Sequence, residues 1–338
     1  MLGSMTDQAV QVTVDSSRPV HRYTFVWVLV LGSFIWIVGA VITAVTADDI
    51  LVPTLILMGS FLVPITMVVF ALTREGEDQL SEDWLMLSFI LGGSVGVVFA
   101  ALVETYLLPT AEGTFIMVGL IEETTKALLV IFVARKVTTR RPRDGMVFGA
   151  TVGAGFAAFE SAGYALSALI QHQQNHPVLN ILQTEINRAV LAPFGHITWT
   201  ALFGGALFAA SRPDGRLRVT WNLVWTCLGI VTLHALWDQS YGWAILITQG
   251  LNGSGWSLEW PNTEAWIGSP NHHDLVVFQV VYAALLIVNA TVGASWVFRR
   301  WHHYKALAAA REAAAAVAAA PTADGPDPDA STGPSHRR

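Results

Sequence analysis

Long apolar runs separated by short polar segments make up most of the 338-residue chain. Eight runs, at about 23–45, 50–72, 84–103, 114–134, 146–169, 188–210, 222–242 and 275–298, approach the roughly 20 residues a helix needs to cross bilayer hydrocarbon. The pattern predicts an all-α, polytopic membrane helix bundle of about eight transmembrane helices. Residues 1–22 are polar and lack the apolar core of a signal peptide, so they read as a cytoplasmic N-terminal arm. After the bundle at 23–298, residues 299–338 form a cytoplasmic extension, with an alanine-rich helix at 306–320 and then a tail of disordered composition. Gln171 to Asn187 reads as a polar outer loop. The longer loop from Trp243 to Asp274 carries Trp256, Trp260 and Trp266, residues suited to a membrane interface.

Composition narrows the class. Charged residues are 13% of the chain and hydrophobic ones 53%, far from the roughly 25% charged of soluble domains. Of the 19 Lys and Arg, all but Lys126 and Arg188 fall at the N-terminus, after the last span or in loops that eight spans would place on the same side. The positive-inside rule then puts both termini in the cytoplasm. Topology accounts for the basic residues, so the lipid bilayer is an expected partner and nucleic acid is not. The single Cys227 excludes an intramolecular disulfide and any multi-cysteine metal site, and reads as a small buried apolar residue.

Against this background, polar residues inside the spans carry information. Glu122-Glu123-Thr124-Thr125-Lys126 lies within the 114–134 run, where a central charge costs roughly 2.5 to 3.5 kcal/mol, so function is the default hypothesis. Glu122 and Lys126 are i,i+4 and can pair, but Glu123, about 100° round the helix, needs another partner. The next span has a small-residue face of Gly149, Gly153 and Gly155, followed by Phe156 and Glu160. The sixth span has Pro193 just before His196, with Thr200 one turn on, and the seventh has His234 and Asp238 on one face. One intrahelical histidine is most often an interhelix hydrogen bond. Here Glu122, Glu160, His196 and His234 each lie about 12 to 14 Å from the outer ends of their spans, at ~1.5 Å per residue. That shared depth predicts one polar cavity built by spans 4 to 7. Gly92-Gly93-Ser94-Val95-Gly96 matches a serine-nucleophile pattern but lies mid-span, where it reads as small-residue packing. The pattern at His172–His176 lacks the glutamate of a zinc-protease helix and reads as loop, while His272-His273 and His302-His303 read as solvated.

Carboxylates and imidazoles gathered at one level suit hydrolysis, which needs a base for water, an acid for the leaving amine and a donor for the oxyanion. Two mechanisms are open: Glu122 activates water while His196 and His234 face the oxyanion, or His196, His234 and a carboxylate, Glu160 or Glu122, hold zinc. The alternative class is a proton- or ion-coupled membrane transporter, which would stagger such groups through the membrane and repeat its halves. This chain has one level and no repeat. In order, Glu122-Glu123-x-x-Lys126, Phe156-x-x-x-Glu160, His196 with Thr200, and His234-x-x-x-Asp238 resemble the PrsW family of intramembrane proteases, related to the CAAX prenyl endopeptidases and bacteriocin-processing enzymes. The resemblance covers roughly 114–240. It implies a protease domain at 23–298, in a bacterial plasma membrane, that cuts a single-pass membrane protein near the extracytoplasmic side, with site-1 cleavage of an anti-sigma factor as the associated task. It also implies Glu122, Glu123, Glu160, His196 and His234 as catalytic groups, supported by Lys126, Phe156, Thr200 and Asp238. Zinc on His196, His234 and Glu160 stays open as a cofactor.

Overall fold

The computed structural model describes residues 22–46, 49–73, 81–108, 115–137, 140–171, 177–212, 216–253 and 271–319. Every regular element among them is helical. The principal helices are α1 (Thr24–Thr46), α2 (Val52–Leu72), α3 (Glu82–Leu107), α4 (Phe115–Ala134), α5 (Pro142–Gln171), α6 (Pro177–Leu191), α7 (His196–Ala209), α8 (Trp221–Asp238), α9 (Ser240–Asn252) and α10 (His272–Ala319). Among the described residues, five stretches are long and apolar enough to cross a membrane: α1, α2, α3, Val178–Ala209 and the first part of α10. The expected spans at 114–134, 146–169 and 222–242 are helices too, but α4 carries Glu122, Glu123 and Lys126, and α8 carries Asn222, His234 and Asp238. Polar groups lower the hydropathy of α4 and α8, and Glu122, Glu123, Lys126 and His234 turn into the bundle, while Ile116, Leu128 and Phe132 of α4 and Trp225 and Leu228 of α8 are exposed.

Three expectations are corrected. The loop expected at 171–187 is helical from Pro177. Its polar residues misled because α6 is amphipathic within a bundle: Leu179, Ile186 and Val190 face outward, whereas Ile181 and Glu185 are buried. The expected span at 188–210 is two helices, broken at Ala192–Phe194, where Pro193 cannot donate to the ladder, and at Gly195, whose φ −94° and ψ −121° lie outside the helical region. The span expected at 222–242 ends at Asp238, and α9 continues the chain to Asn252. At the C-terminal end, α10 runs unbroken past 298, so the alanine-rich segment extends the last helix. The three loop tryptophans, the His172–His176 pattern, the arm at 1–21 and the tail at 320–338 lie outside the described residues.

Glycines set the inner packing. Gly145, Gly149 and Gly153, four apart on α5, lie against the backbone of α7 at Gly204, Thr200 and His196, so that any Cβ on them would clash. Gly155 turns instead to α3, at Phe89, and Gly92 of α3 abuts Val152. The pattern at 92–96 is therefore a packing surface, and the helix there widens into a π turn over Leu91–Gly96. Close approach of α3 and α7 to α5 brings the polar residues of four helices together.

Candidate active site

Lys126 is the centre of the polar cluster. It is fully buried, and its ammonium nitrogen lies 2.7 Å from Glu123 Oε1, 3.3 Å from Glu122 Oε2 and 2.7 Å from His196 Nδ1. Those three partners match its three N–H donors. Phe156, the aromatic of the Phe156–Glu160 pair, closes the remaining side with its ring centroid 4.2 Å from Nζ. Both neighbouring carboxylates of α4 thus share one cation, and the second partner expected for Glu123 is His234, whose Nδ1 lies 2.9 Å from Glu123 Oε1.

The two histidines are oriented by these contacts. Glu160 Oε2 lies 3.0 Å from His196 Nε2. A carboxylate only accepts, so Nε2 carries the proton and Nδ1 accepts from Lys126. Both ring nitrogens of His196 are therefore engaged. His234 donates from Nδ1 to Glu123, which leaves Nε2 facing Asp238 Oδ2 at 3.4 Å and Glu122 Oε2 at 3.7 Å. Trp199 stacks on the His234 ring, with centroids 4.7 Å apart and planes 28° apart, and Asn289 of α10 donates to the Leu233 carbonyl beside it at 2.8 Å. The two imidazole centroids are 5.1 Å apart. All nine residues of the sequence pattern lie in or beside this cluster, with one reservation for Thr200. Its hydroxyl is buried without a hydrogen-bond partner, and its backbone carbonyl, against Gly149, makes the closer contact.

Sequence reasoning missed Arg188. It was counted as a cation at the end of a span, yet it donates from Nη2 to Glu160 and from Nε to Ser161 Oγ, the latter at 2.8 Å, with its guanidinium over Tyr164. A lone arginine on the outer side of an otherwise positive-inside chain was the available signal. Trp199 was also missed, since nothing in a helical tryptophan announces that it stacks on an imidazole.

A cavity of about 540 Å³ opens beside the cluster between α3, α4, α5, α6, α8 and α10, with Glu122, Glu160, Arg188 and Asp238 on its wall. Glu104 of α3, Tyr164 of α5 and Tyr282 of α10 add to its polar lining. A smaller space of about 90 Å³ continues on the far side of Glu160, past Ser161, to His196 and Trp199. Glu122 reaches the larger cavity, whereas Glu123, 3% exposed, sits behind it.

Of the two carboxylates expected as possible zinc ligands, Glu160 and Glu122, metal-ligand geometry picks out Glu122. Glu122, His196 and His234 present ligand atoms within 4.8 Å of one another, whereas Glu160 lies on the other nitrogen of His196 and is paired with Arg188. One carboxylate and two imidazoles are a donor set that zinc accepts. The Lys126 ammonium, however, lies within 3.3 Å of Glu122 and 2.7 Å of His196 Nδ1, using the lone pair a metal would need. While Lys126 holds that place, the set does not fit a divalent ion.

The chain is similar to known proteins over part of its length. The protease PrsW of Halalkalibacterium halodurans is 30% identical over 125 residues, 37% of this chain and 52% of the relative, so the match spans about half the length of that relative. No solved structure matches. The profile described as the PrsW family intramembrane metalloprotease matches residues 81–256, from the start of α3 to just beyond α9. That stretch is more than half of the chain and contains every residue of the cluster apart from Asn289, and on it this integral membrane protein belongs to the PrsW family of intramembrane metalloproteases.

Proposed function

We propose that this protein is an intramembrane endopeptidase that hydrolyses a peptide bond of a membrane-anchored protein, with Glu122 as the base that activates water. The observation that carries this reading is the division of labour between adjacent carboxylates: Glu123 is committed to Lys126 and His234, while Glu122 opens onto a cavity of about 540 Å³. In the proposed reaction, water in the cavity gives a proton to Glu122 as its oxygen bonds to the scissile carbonyl carbon. The oxyanion is met by the Arg188 guanidinium on the cavity wall, while His234, buried behind it, holds Glu123. Glu122 then returns the proton to the amide nitrogen as the C–N bond breaks. Lys126 and Glu160 keep His196 fixed between them, a wall of the site more than a donor.

The distribution of Lys and Arg supports cytoplasmic termini and a site in the outer half of a bacterial plasma membrane, formed by a domain spanning about 23–298. A single-pass anti-sigma factor, cut on its extracytoplasmic side, is the substrate class that the motif resemblance favours. The test is a cleavage assay in proteoliposomes on a panel of single-pass membrane proteins, with and without a zinc chelator. Cleavage that resists the chelator is expected, because Lys126 fills the cation position. Cleavage abolished by the chelator and restored by zinc would overturn the metal-free mechanism. No cleavage, with a proton flux that depends on Glu160, would return the site to the transporter reading.

A further inference from the structure

A further carboxylate, outside the cluster, is buried in the bundle on the other side of α6. Glu185 is 1% exposed and turns to α1 and α2. Its Oε2 accepts from Trp36 Nε1 at 2.9 Å, and its Oε1 lies 3.5 Å from Ser60 Oγ. α2 is shaped around it, since any side chain on Gly59 would run into the carboxylate. Its surroundings are otherwise apolar, with Val52 and Ile56 of α2, Ala165 of α5 and Ile181 of α6 packed in one cluster. An ionisable residue in such a place is a candidate for function by default.

An apolar residue at 185 would fill the space and hold α6 by dispersion, which is indifferent to small rotations. A hydrogen-bonded carboxylate adds a fixed register, the best-attested use of buried polar groups. Register matters here because Arg188 follows three residues on along the same short helix and donates to Glu160 and Ser161. A slip of one residue turns the helix by about 100° and shifts it ~1.5 Å, enough to take Arg188 off Glu160. We infer that Glu185, held by Trp36 and Ser60, is a positioning residue that sets the register of α6 and thereby the place of Arg188 in the site. α1 and α2 lie outside the family-matched residues 81–256, and this contact gives them a task in the site. The effect on rate rests on the peptidase reading above, but the effect on Arg188 does not.

The test separates the two. In full-length protein with Cys227→Ser, Arg188→Cys is alkylated by a maleimide, and the rate is compared with and without Glu185→Leu, Gly59→Ala, Trp36→Phe and Glu185→Gln. Glu185→Leu, Gly59→Ala and Trp36→Phe are expected to change the rate several-fold. Glu185→Gln keeps an acceptor for Trp36 and is expected to preserve it. With Arg188 in place, the first three variants lower kcat by about ten-fold or more, with little change in KM, since ~1 Å misplacement can cost up to ~10²-fold, and Glu185→Gln keeps the wild-type kcat. Should Glu185→Leu fail to fold, Gly59→Ala and Trp36→Phe carry the test without touching α6. Alkylation unchanged in these variants would overturn the inference. Shifted alkylation in a protein that cleaves nothing would keep the anchor and overturn the peptidase reading instead.

Discussion

The inner helices α4, α5, α7 and α8 and the outer helices α1 and α10 invert the rule that governs soluble proteins. α1 has a mean hydropathy of 2.6 over its best window with only 6% of it buried, and α10 reaches 2.2 with 11% buried. α4, with three charged residues in two turns, has Lys126 fully buried and Glu123 nearly so. In a bilayer the apolar surface faces the solvent, which is lipid, and polar groups survive only by pairing inside the protein. Apolar residues on α1 and α10 therefore adapt the protein to its medium, whereas polar residues on the inner helices hold the helices together and carry the proposed chemistry. Equal-sized changes in the two regions should have unequal consequences.

The largest difference is expected at Glu122. Glu122→Gln keeps the size and should lower the cleavage rate by roughly 10² to 10⁴, the usual contribution of a general base. Its loss of stability should be smaller than that of Lys126→Met, because Lys126 keeps Glu123 and the carbonyl of the new amide can still accept from it. A cleavage rate equal to wild type would remove Glu122 as the base and weaken the contrast at its centre. Next comes Lys126→Met, which leaves Glu122 and Glu123 buried without their shared cation. Loss of one partner of a buried pair costs about 3 to 5 kcal/mol, so this variant should unfold at markedly lower denaturant or temperature. Normal stability would mean that the acids are compensated elsewhere. Gly149→Val follows, because its side chain would press on the Thr200 carbonyl of α7, and overpacking of this kind costs about 1 to 3 kcal/mol. The smallest effect belongs to the outer surface: Phe34→Ala on α1, at a side chain 63% exposed, should change stability by no more than about 0.5 kcal/mol in a thermal melt. A loss there comparable with Gly149→Val would show that α1 is covered by protein rather than lipid.

The i,i+4 pairs Glu122–Lys126 and His234–Asp238 lie on single helices, and helical geometry alone brings them together at 3.3 and 3.4 Å. Equal depth on the expected spans predicted the convergence of Glu122, Glu160, His196 and His234, although the span assumed for His196 is broken just before it, at 192–195. The helix at 177–191 was not legible, since its polar residues resemble a loop until Glu185 and Arg188 are seen to have partners on α1, α2 and α5.

The sequence by itself determined the membrane class, the helical content, the helices that bear charge and the residues at the polar level, because these depend on hydropathy, on helical periodicity and on the cost of a charge in hydrocarbon. Only the tertiary structure decided which nitrogen of each histidine is engaged, that Lys126 occupies the place a metal would take, that Glu122 rather than Glu123 meets the cavity, and that Arg188 belongs to the site. Each of these turns on contacts across helices far apart in sequence, such as the 2.7 Å from Lys126 to His196. Helix rotation and the close glycine packing of α5 against α7 fix them, and no spacing within a single helix encodes either.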